Sequence, residues 1–160
     1  MKTWVERANE EIVKELSAGE SVVFGKTGEF YVVTIRPFYV AHVLRDEQVF
    51  FALDKVTRSE KLSKMFFSLL NIENTVKDEN RIKATGAYWS DNGREFLKEY
   101  GGEKESVWLN AKYVKDIEPF AAFYQESAET AEANRNTLPV LAVLPNGRPA
   151  RIILPVRKYN

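Results

Sequence analysis

One histidine and no cysteine occur among the 160 residues, and this limits the chemistry that the side chains could perform. The lack of cysteine excludes disulfides, thiolate zinc sites, iron–sulfur clusters and cysteine nucleophiles. His42 stands between Ala41 and Val43 in an apolar stretch. Neither an orienting carboxylate nor a nucleophile lies at a spacing typical of a catalytic base. We therefore interpret His42 as a structural or surface residue, and we expect neither a metal site nor a cofactor.

The sequence Gly25-Lys26-Thr27 has the ending of a phosphate-binding loop, in which backbone N–H groups and a lysine hold the phosphates. The complete motif has a further glycine five residues before Gly25, and this chain has Glu20 there. The motif also requires a helix directly after the loop, whereas Phe30–Ile35 has the β-branched and aromatic residues typical of a strand. A glycine-bounded hairpin loop over Gly25–Gly28 is the better interpretation.

The carboxylates are numerous but scattered, and their spacing does not indicate a catalytic acid and base pair. Asp91 and Glu95 stand four apart beside Ser90, a possible helix cap, and are typical of charge compensation at a helix start. The sequence Asp91-Asn92-Gly93 lacks the remaining ligands of a calcium loop. We therefore expect that the protein is not an enzyme. An enzyme whose carboxylates converge only in three dimensions is the alternative.

Two groups of basic residues could follow a nucleic-acid backbone without reading its sequence. One group recurs at spacings of three along a predicted helix, and the other begins a helix after Asn110. The chain has 23 basic and 23 acidic side chains, so we expect at most weak, local DNA contact and no membrane binding. Solvated helix faces are the alternative. The first group is Lys55, Arg58, Lys61 and Lys64, and the second is Lys112 and Lys115.

Aromatic residues are abundant for a small neutral chain, with three Trp, seven Tyr and ten Phe. Most such side chains pack in a core, but a surplus also indicates a surface that contacts another protein or stacks on bases. The candidates for that role are Trp89, Trp108, Phe120, Phe123 and Tyr124.

The elements that must position these residues begin with an amphipathic helix. Thr3 can cap this helix, Gly19 can end it, and glutamates occupy the face opposite its apolar stripe. We expect residues 1–19 to form an arm docked by that stripe, and residues 20–160 to form a single domain. The stripe consists of Trp4, Ala8, Ile12 and Leu16.

Apolar and β-branched runs predict most of the remaining elements. The predicted strands are Ser21–Phe24, Glu29–Arg36, Phe38–Leu44, Val49–Asp54, Arg81–Tyr88, Val107–Leu109, Leu138–Leu144 and Ala150–Val156. The dipeptide Asn146-Gly147 predicts a hairpin between the last two. Glu126–Asn136 is either a short exposed helix or a loop. Helices are predicted from Thr57 or Ser59 to Leu70, from the Ser90 cap through Phe96, Leu97 and Tyr100, and from the Asn110 cap onward.

These elements predict an α+β fold, with a largely antiparallel sheet and two or three helices packed on one face. The chain has the length of one domain and can bury a core without disulfides. Its longest strongly apolar runs, such as Val140–Leu144, are far shorter than the roughly 20 residues of a membrane span. The glutamate-rich start does not have the pattern of a secretory signal. We therefore expect a cytoplasmic protein.

Two blocks near the C-terminus carry a family likeness. The first is Leu109–Ile117, with Asn110, Lys112 and Tyr113 at the start of a helix, and the second is Leu138–Leu141, followed by the hairpin and Arg151–Arg157. Together they resemble the C-terminal end of the bacterial sliding clamp, the processivity ring of DNA polymerase III. The first block is similar to that family's asparagine-x-lysine-tyrosine-leucine helix start. The second is similar to its closing strand, which ends in a hydrophobic-proline-hydrophobic-arginine motif.

The resemblance covers less than a third of the chain. In the clamp family the closing strand forms part of a pocket for short linear peptides of replication proteins, and basic helices line a DNA channel. The resemblance therefore implies DNA contact by Lys112 and Lys115, and more loosely by Lys61 and Lys64. It implies partner binding by Ile152, Leu154, Pro155, Val156 and Arg157.

We thus expect a non-enzymatic, replication-associated or clamp-like protein that presents an apolar C-terminal strand pocket to a protein partner. The alternative is a small regulatory or inhibitory protein of a phage or mobile element. Such a protein would bind a host enzyme through an aromatic and acidic surface.

Overall fold

The computed structural model describes residues 2–19, 21–35, 40–60, 75–91, 93–101, 106–125 and 138–156. These residues form one long helix, a few short helices and ten strands of a single sheet. The fold is therefore α+β and mostly sheet, which confirms the predicted class. Most of the helix predicted to end at Leu70 and the whole of Glu126–Asn136 lie outside the described residues.

The long helix α1 spans Trp4–Ser17, and α2 is the short helix Ala111–Val114. Three 3-10 turns cover Asp46–Gln48, Leu53–Lys55 and Asp78–Asn80. The strands are β1 Val22–Thr27, β2 Phe30–Ile35, β3 Val40–Arg45, β4 Thr57–Arg58, β5 Arg81–Asp91, β6 Arg94–Gly101, β7 Val107–Asn110, β8 Ala122–Gln125, β9 Val140–Val143 and β10 Pro149–Ile153.

The sheet is ordered β4-β1-β2-β3-β10-β9-β8-β5-β6-β7, and its neighbours pair antiparallel except for β1 with the two-residue β4. Beyond β10, the backbone N–H of Val156 donates to the carbonyl of Trp108 on β7 at 2.8 Å. The segment that contains Val156 follows β10, a central strand, and thus contacts β7, the last strand of the sheet. The sheet must therefore curve until its β7 end approaches β10.

Helix α1 forms for the reasons that its sequence indicates. The Thr3 hydroxyl accepts a hydrogen bond from the N–H of Glu6 at 3.1 Å, which caps the first turn. Beyond the last turn Gly19 adopts φ +79, a conformation that favours glycine. Trp4, Ala8 and Ile12 are buried against the sheet, which confirms the predicted apolar stripe.

The sheet face under α1 and α2 holds the larger core cluster. Along β3, Val40 and Leu44 point into this cluster, whereas Ala41 and Val43 belong to a smaller cluster on the opposite face. Because side chains alternate along a strand, His42 shares the face of Val40 and Leu44. The single histidine therefore projects toward the helices.

Asn9 joins α1 to the segment after β3. Its Nδ2 donates to the carbonyls of Val5 and Gln48, each at 2.9 Å, and its Oδ1 accepts from the N–H of Phe50 at 2.8 Å. A helix side chain thus occupies backbone groups that a neighbouring strand would otherwise use. The strand predicted over Val49–Asp54 is accordingly wrong, and that stretch contains the turn Leu53–Lys55 instead.

Arg148 fixes the start of α1 to the C-terminal hairpin. Its guanidinium lies 5.4 Å from the ring centroid of Trp4 and 5.6 Å from that of Phe30. Its Nη2 donates to the carbonyl of Val43 at 3.3 Å and to the side chain of Gln48. Burial lowers the pKa of this guanidinium. Aromatic faces and carbonyl groups therefore stabilise a cation that is 8% exposed.

The helix predicted after Ser90 is wrong, because Phe96, Leu97 and Tyr100 lie in strand β6. Their spacing fits one face of a helix, but β6 pairs antiparallel with β5 as the second strand of a hairpin. Gly93 adopts φ +76 between the two strands, as tight hairpin turns require. The Asp91–Glu95 pair is accordingly split between facing strands and is no helix-start pair.

Both hairpins that the sequence predicts are confirmed, with shifted bounds. Gly25 and Lys26 pair with Val32 and Tyr31, so the first turn is Gly28-Glu29 rather than Gly25–Gly28.

The first group of basic residues does not lie on one helix, because Lys55 ends a 3-10 turn and Arg58 belongs to β4. Strand β8 was not predicted from the sequence.

Candidate functional site

His42 on β3 and Arg151 on β10 occupy directly paired positions of the sheet. Directly opposite residues of antiparallel strands project to the same face, and this face carries α1 and α2. His42 is 0% exposed and Arg151 is 2% exposed. Two polar side chains thus enter the core next to each other, where each of them requires partners.

Arg151 finds its partners below α2. Its Nη1 and Nη2 donate to the two carboxylate oxygens of Asp116 at 2.7 and 3.1 Å, and Nη1 also donates to the carbonyl of Tyr113 at 2.8 Å. This bidentate geometry is the strongest form of the arginine–carboxylate pair. The Asp116 side chain is 9% exposed, so both charges of the pair are buried.

His42 faces α1 instead. Its Nε2 lies 3.6 Å from Oε2 of Glu11, which is too long for a hydrogen bond, and neither ring nitrogen has a hydrogen-bond partner. Burial lowers the pKa of His42, and the contact with Glu11 opposes this shift without overcoming it. Burial of Glu11 acts to raise its pKa, but His42, Lys112 and Arg151 together lower it. The imidazole of His42 is therefore neutral, and it lies deeper in the protein than the charged carboxylate of Glu11.

A cavity of about 320 Å³ opens between α1 and α2 above this group. Helix α1 contributes Arg7, Glu10, Glu11, Lys14 and Glu15 to its lining. The other side consists of Lys112, Asp116 and Arg151. The eight lining side chains that belong to the described residues are all charged, four of each sign. Across the described ranges, no three histidine, aspartate or glutamate side chains are grouped to hold a metal ion.

The buried histidine predicts a loss of stability in mild acid. Its pKa in the folded chain lies below the ordinary 6.5, so below pH 6.5 the unfolded chain takes up a proton that the folded chain does not. We expect the free energy of unfolding to fall between about pH 6.5 and 5, by at most about 1.4 kcal/mol per pH unit. Urea unfolding at several pH values measures this fall.

The variant His42→Gln is the control for this prediction, because it removes the titrating group. Its stability should change much less over the same pH range. The Glu11 carboxylate does not interfere, since its lowered pKa places its own contribution below pH 4.5. An equal slope in both proteins would contradict the assignment of the effect to His42.

A second feature is the ribbon that β5 and β6 form. Strand β5 pairs with β8 only at Arg81 and Ile82, but it pairs with β6 as far as Asp91. The far part of this ribbon carries three exposed aromatic side chains: Tyr88 at 59%, Trp89 at 41% and Phe96 at 45% exposure. We name Trp89 and Phe96 the ribbon patch. Tyr88 precedes Trp89 in a regularly paired stretch of β5 and therefore projects from the other face. The rings of Trp89 and Phe96 meet edge to face with centroids 5.5 Å apart.

The residues implied by the clamp resemblance are dispersed in the structure. Ile152 is 3% exposed in a central strand, so it packs in the core and does not present itself to a partner. Leu154, Pro155 and Val156 are half-buried, and Lys112 and Lys115 are exposed at α2. Arg157, Lys61 and Lys64 lie outside the described residues.

The aromatic candidates also separate. Phe123 is 4% exposed in the core, Trp108 and Tyr124 are half-buried, and Phe120 is 52% exposed. Trp89 alone among them joins the ribbon patch. Phe96 is not among the candidates because its spacing to Leu97 and Tyr100 predicts a helix face.

Sequence reasoning also missed the charged group around His42. A signal was present, since Arg151 stands within the apolar run that forms β10, and a charge in a central strand requires a buried partner. Its partner Asp116 is 35 positions away, and no local pattern identifies it.

Comparison with protein-family models, with curated proteins and with solved structures found no match. None of the helices in the described part of the chain is long and apolar enough to cross a membrane.

Proposed function

We propose that this protein is a non-enzymatic binding protein that holds an extended segment of a partner protein against the ribbon patch. The observation that carries the proposal is the exposure of Trp89 and Phe96, in ring contact with each other, at one end of the β5–β6 ribbon. Tyrosine, tryptophan and phenylalanine are enriched at protein interfaces, because a large ring gains much from burial and loses little conformational entropy.

The backbone of β5 favours an extended partner. Beyond Ile82, no strand among the described residues pairs with the backbone groups on the β8 side of β5. Addition of a peptide strand to such an edge is a common mode of recognition. Gly86, at φ +91 within the irregular pairing of β5, restricts regular pairing to short stretches on either side of it.

The clamp resemblance suggests the class of partner, namely replication proteins that carry short linear peptides, and a cytoplasmic location. In this proposal the half-buried segment Leu154–Val156 forms a second contact with the partner protein. The proposed fold has two or three helices packed on one face of the sheet. Lys112 provides at most a weak DNA contact. Inhibition of a host enzyme through the same aromatic surface is the second role to be tested.

The proposal predicts peptide binding that depends on the ribbon patch. Peptides that tile bacterial proteins, replication proteins included, are displayed and selected on the immobilised chain, and the Kd of each enriched peptide is measured by fluorescence anisotropy. The double variant Trp89→Ser/Phe96→Ser is expected to bind at least about tenfold more weakly, as loss of an interface hot spot does.

A matched variant tests whether the effect is specific to the ribbon. Phe50→Ser/Phe120→Ser removes two aromatic rings that are 67% and 52% exposed elsewhere, and it should leave the Kd within about twofold. Equal weakening by both double variants would contradict the proposal. A loss confined to Leu154→Ala/Val156→Ala would assign binding to the C-terminal segment instead.

A further inference from the structure

We propose that the cavity between α1 and α2 binds a small molecule that carries both an ammonium group and a carboxylate, the charge pattern of a free α-amino acid. This site is separate from the ribbon patch and does not depend on the proposed protein binding. The cavity's volume of about 320 Å³ is at the lower end of ligand pockets in proteins, which favours a small ligand.

The charges that line the cavity are only partly compensated within the protein. Arg151 and Asp116 neutralise each other, and Glu10 forms an ion pair with Lys2 at 2.6 Å. Glu11 and Glu15 have no lysine or arginine within ion-pair distance among the described residues. They stand one turn apart on α1 and can receive an ammonium group together.

The cations of the same cavity complete the pattern. Lys112 lies across from α1, with its Nζ 4.8 Å from the ring centroid of Tyr113 and with no carboxylate partner among the described residues. Arg7 and Lys14 lie on α1 on either side of Glu11 along the chain. A ligand with a single charge would leave one sign of this lining unused, whereas a zwitterion satisfies both signs.

His42 is the independent observation that points to a ligand. It is fully buried, both ring nitrogens lack a hydrogen-bond partner, and Nε2 is directed at the Glu11 carboxylate from behind. Buried N–H groups are nearly always bonded, and at 3.6 Å the imidazole lies just beyond hydrogen-bond distance of Glu11, the carboxylate that it faces. A bound ammonium group that fixes Glu11 would allow the imidazole N–H to donate to the same carboxylate.

The single histidine also provides the test. The imidazole signals of the full chain are recorded by long-range ¹H–¹⁵N NMR while each of the twenty L-amino acids is added in turn. Every amino acid that shifts them is then compared with its C-terminal amide, which lacks the carboxylate, and its N-acetyl derivative, which lacks the ammonium group. We expect at least one amino acid to bind, and each derivative to bind at least about tenfold more weakly.

Variants place the ligand in the cavity. Glu11→Gln should weaken binding at least about tenfold, while Glu29→Gln, the same change at an exposed turn carboxylate, should leave the Kd within about twofold. Circular dichroism verifies that both variants are folded. The proposal is overturned if no amino acid shifts the His42 signals at millimolar concentration, if a derivative binds as well as its parent, or if Glu11→Gln binds like the wild type.

Discussion

Replacing Arg151 by methionine is expected to lower the free energy of unfolding by about 3–5 kcal/mol. Arg151 and Asp116 form a bidentate pair in which both side chains are more than nine-tenths buried. Methionine retains an unbranched apolar chain like the stem of arginine but has no charge, so the Asp116 carboxylate would remain buried without a cation. The Tyr113 carbonyl would also lose its donor. Urea unfolding followed by circular dichroism measures the loss.

Two further variants distinguish a broken ion pair from damaged packing. Asp116→Leu combined with Arg151→Met removes both charges and should be more stable than Arg151→Met alone, since the unpaired charge is then absent. Arg58→Met breaks a surface pair whose side chains are 59% and 75% exposed, and it should cost less than about 1 kcal/mol. A cost below 1 kcal/mol for Arg151→Met as well would show that the pair is not buried as described.

The second large effect is expected for Ile12→Ala, which should lower the free energy of unfolding by about 2–5 kcal/mol. Ile12 is 0% exposed and packs in the core cluster that joins α1 to the sheet. Alanine leaves a cavity there, and the cost is the lost transfer free energy plus the cavity term. Chemical denaturation of the purified variant measures the change.

The neighbouring residue supplies the control for that experiment. Val13 is on the same helix but 44% exposed, so Val13→Ala should change stability by no more than about 0.5 kcal/mol. Similar losses for the two variants would mean that α1 is not docked by its Ile12 face.

The sequence predicted those parts of the fold whose causes lie within a few residues. Thr3, the apolar stripe and Gly19 each act within α1, so the helix and both of its ends could be recognised. The C-terminal hairpin was recognised in the same way, since Gly147 at φ +84 follows Asn146 in the turn. Local hydrogen bonds and backbone preferences determine these elements.

Predictions were wrong where a local pattern had two solutions. Phe96, Leu97 and Tyr100 fit a helix face, yet pairing with β5 places them in a strand and exposes Phe96 as part of the ribbon patch. Val49–Asp54 has the composition of a strand, yet Asn9 binds its backbone from α1. In both cases a partner outside the segment itself, the adjacent strand β5 in one case and Asn9 of α1 in the other, decided between conformations of similar local preference.

The sequence by itself therefore determined the α+β class, the helix α1, the hairpins β1–β2 and β9–β10 and the absence of cysteine chemistry. Only the tertiary structure decided the strand order, which places His42 beside Arg151 and brings Glu11 and Asp116 to them from α1 and from the end of α2. The physical reason is that strand order and register depend on burial summed over the whole chain. Periodicity and turn preference extend over only a few residues. The charged cavity is a consequence of that long-range pairing, whereas the ribbon patch results from the hairpin of β5 and β6.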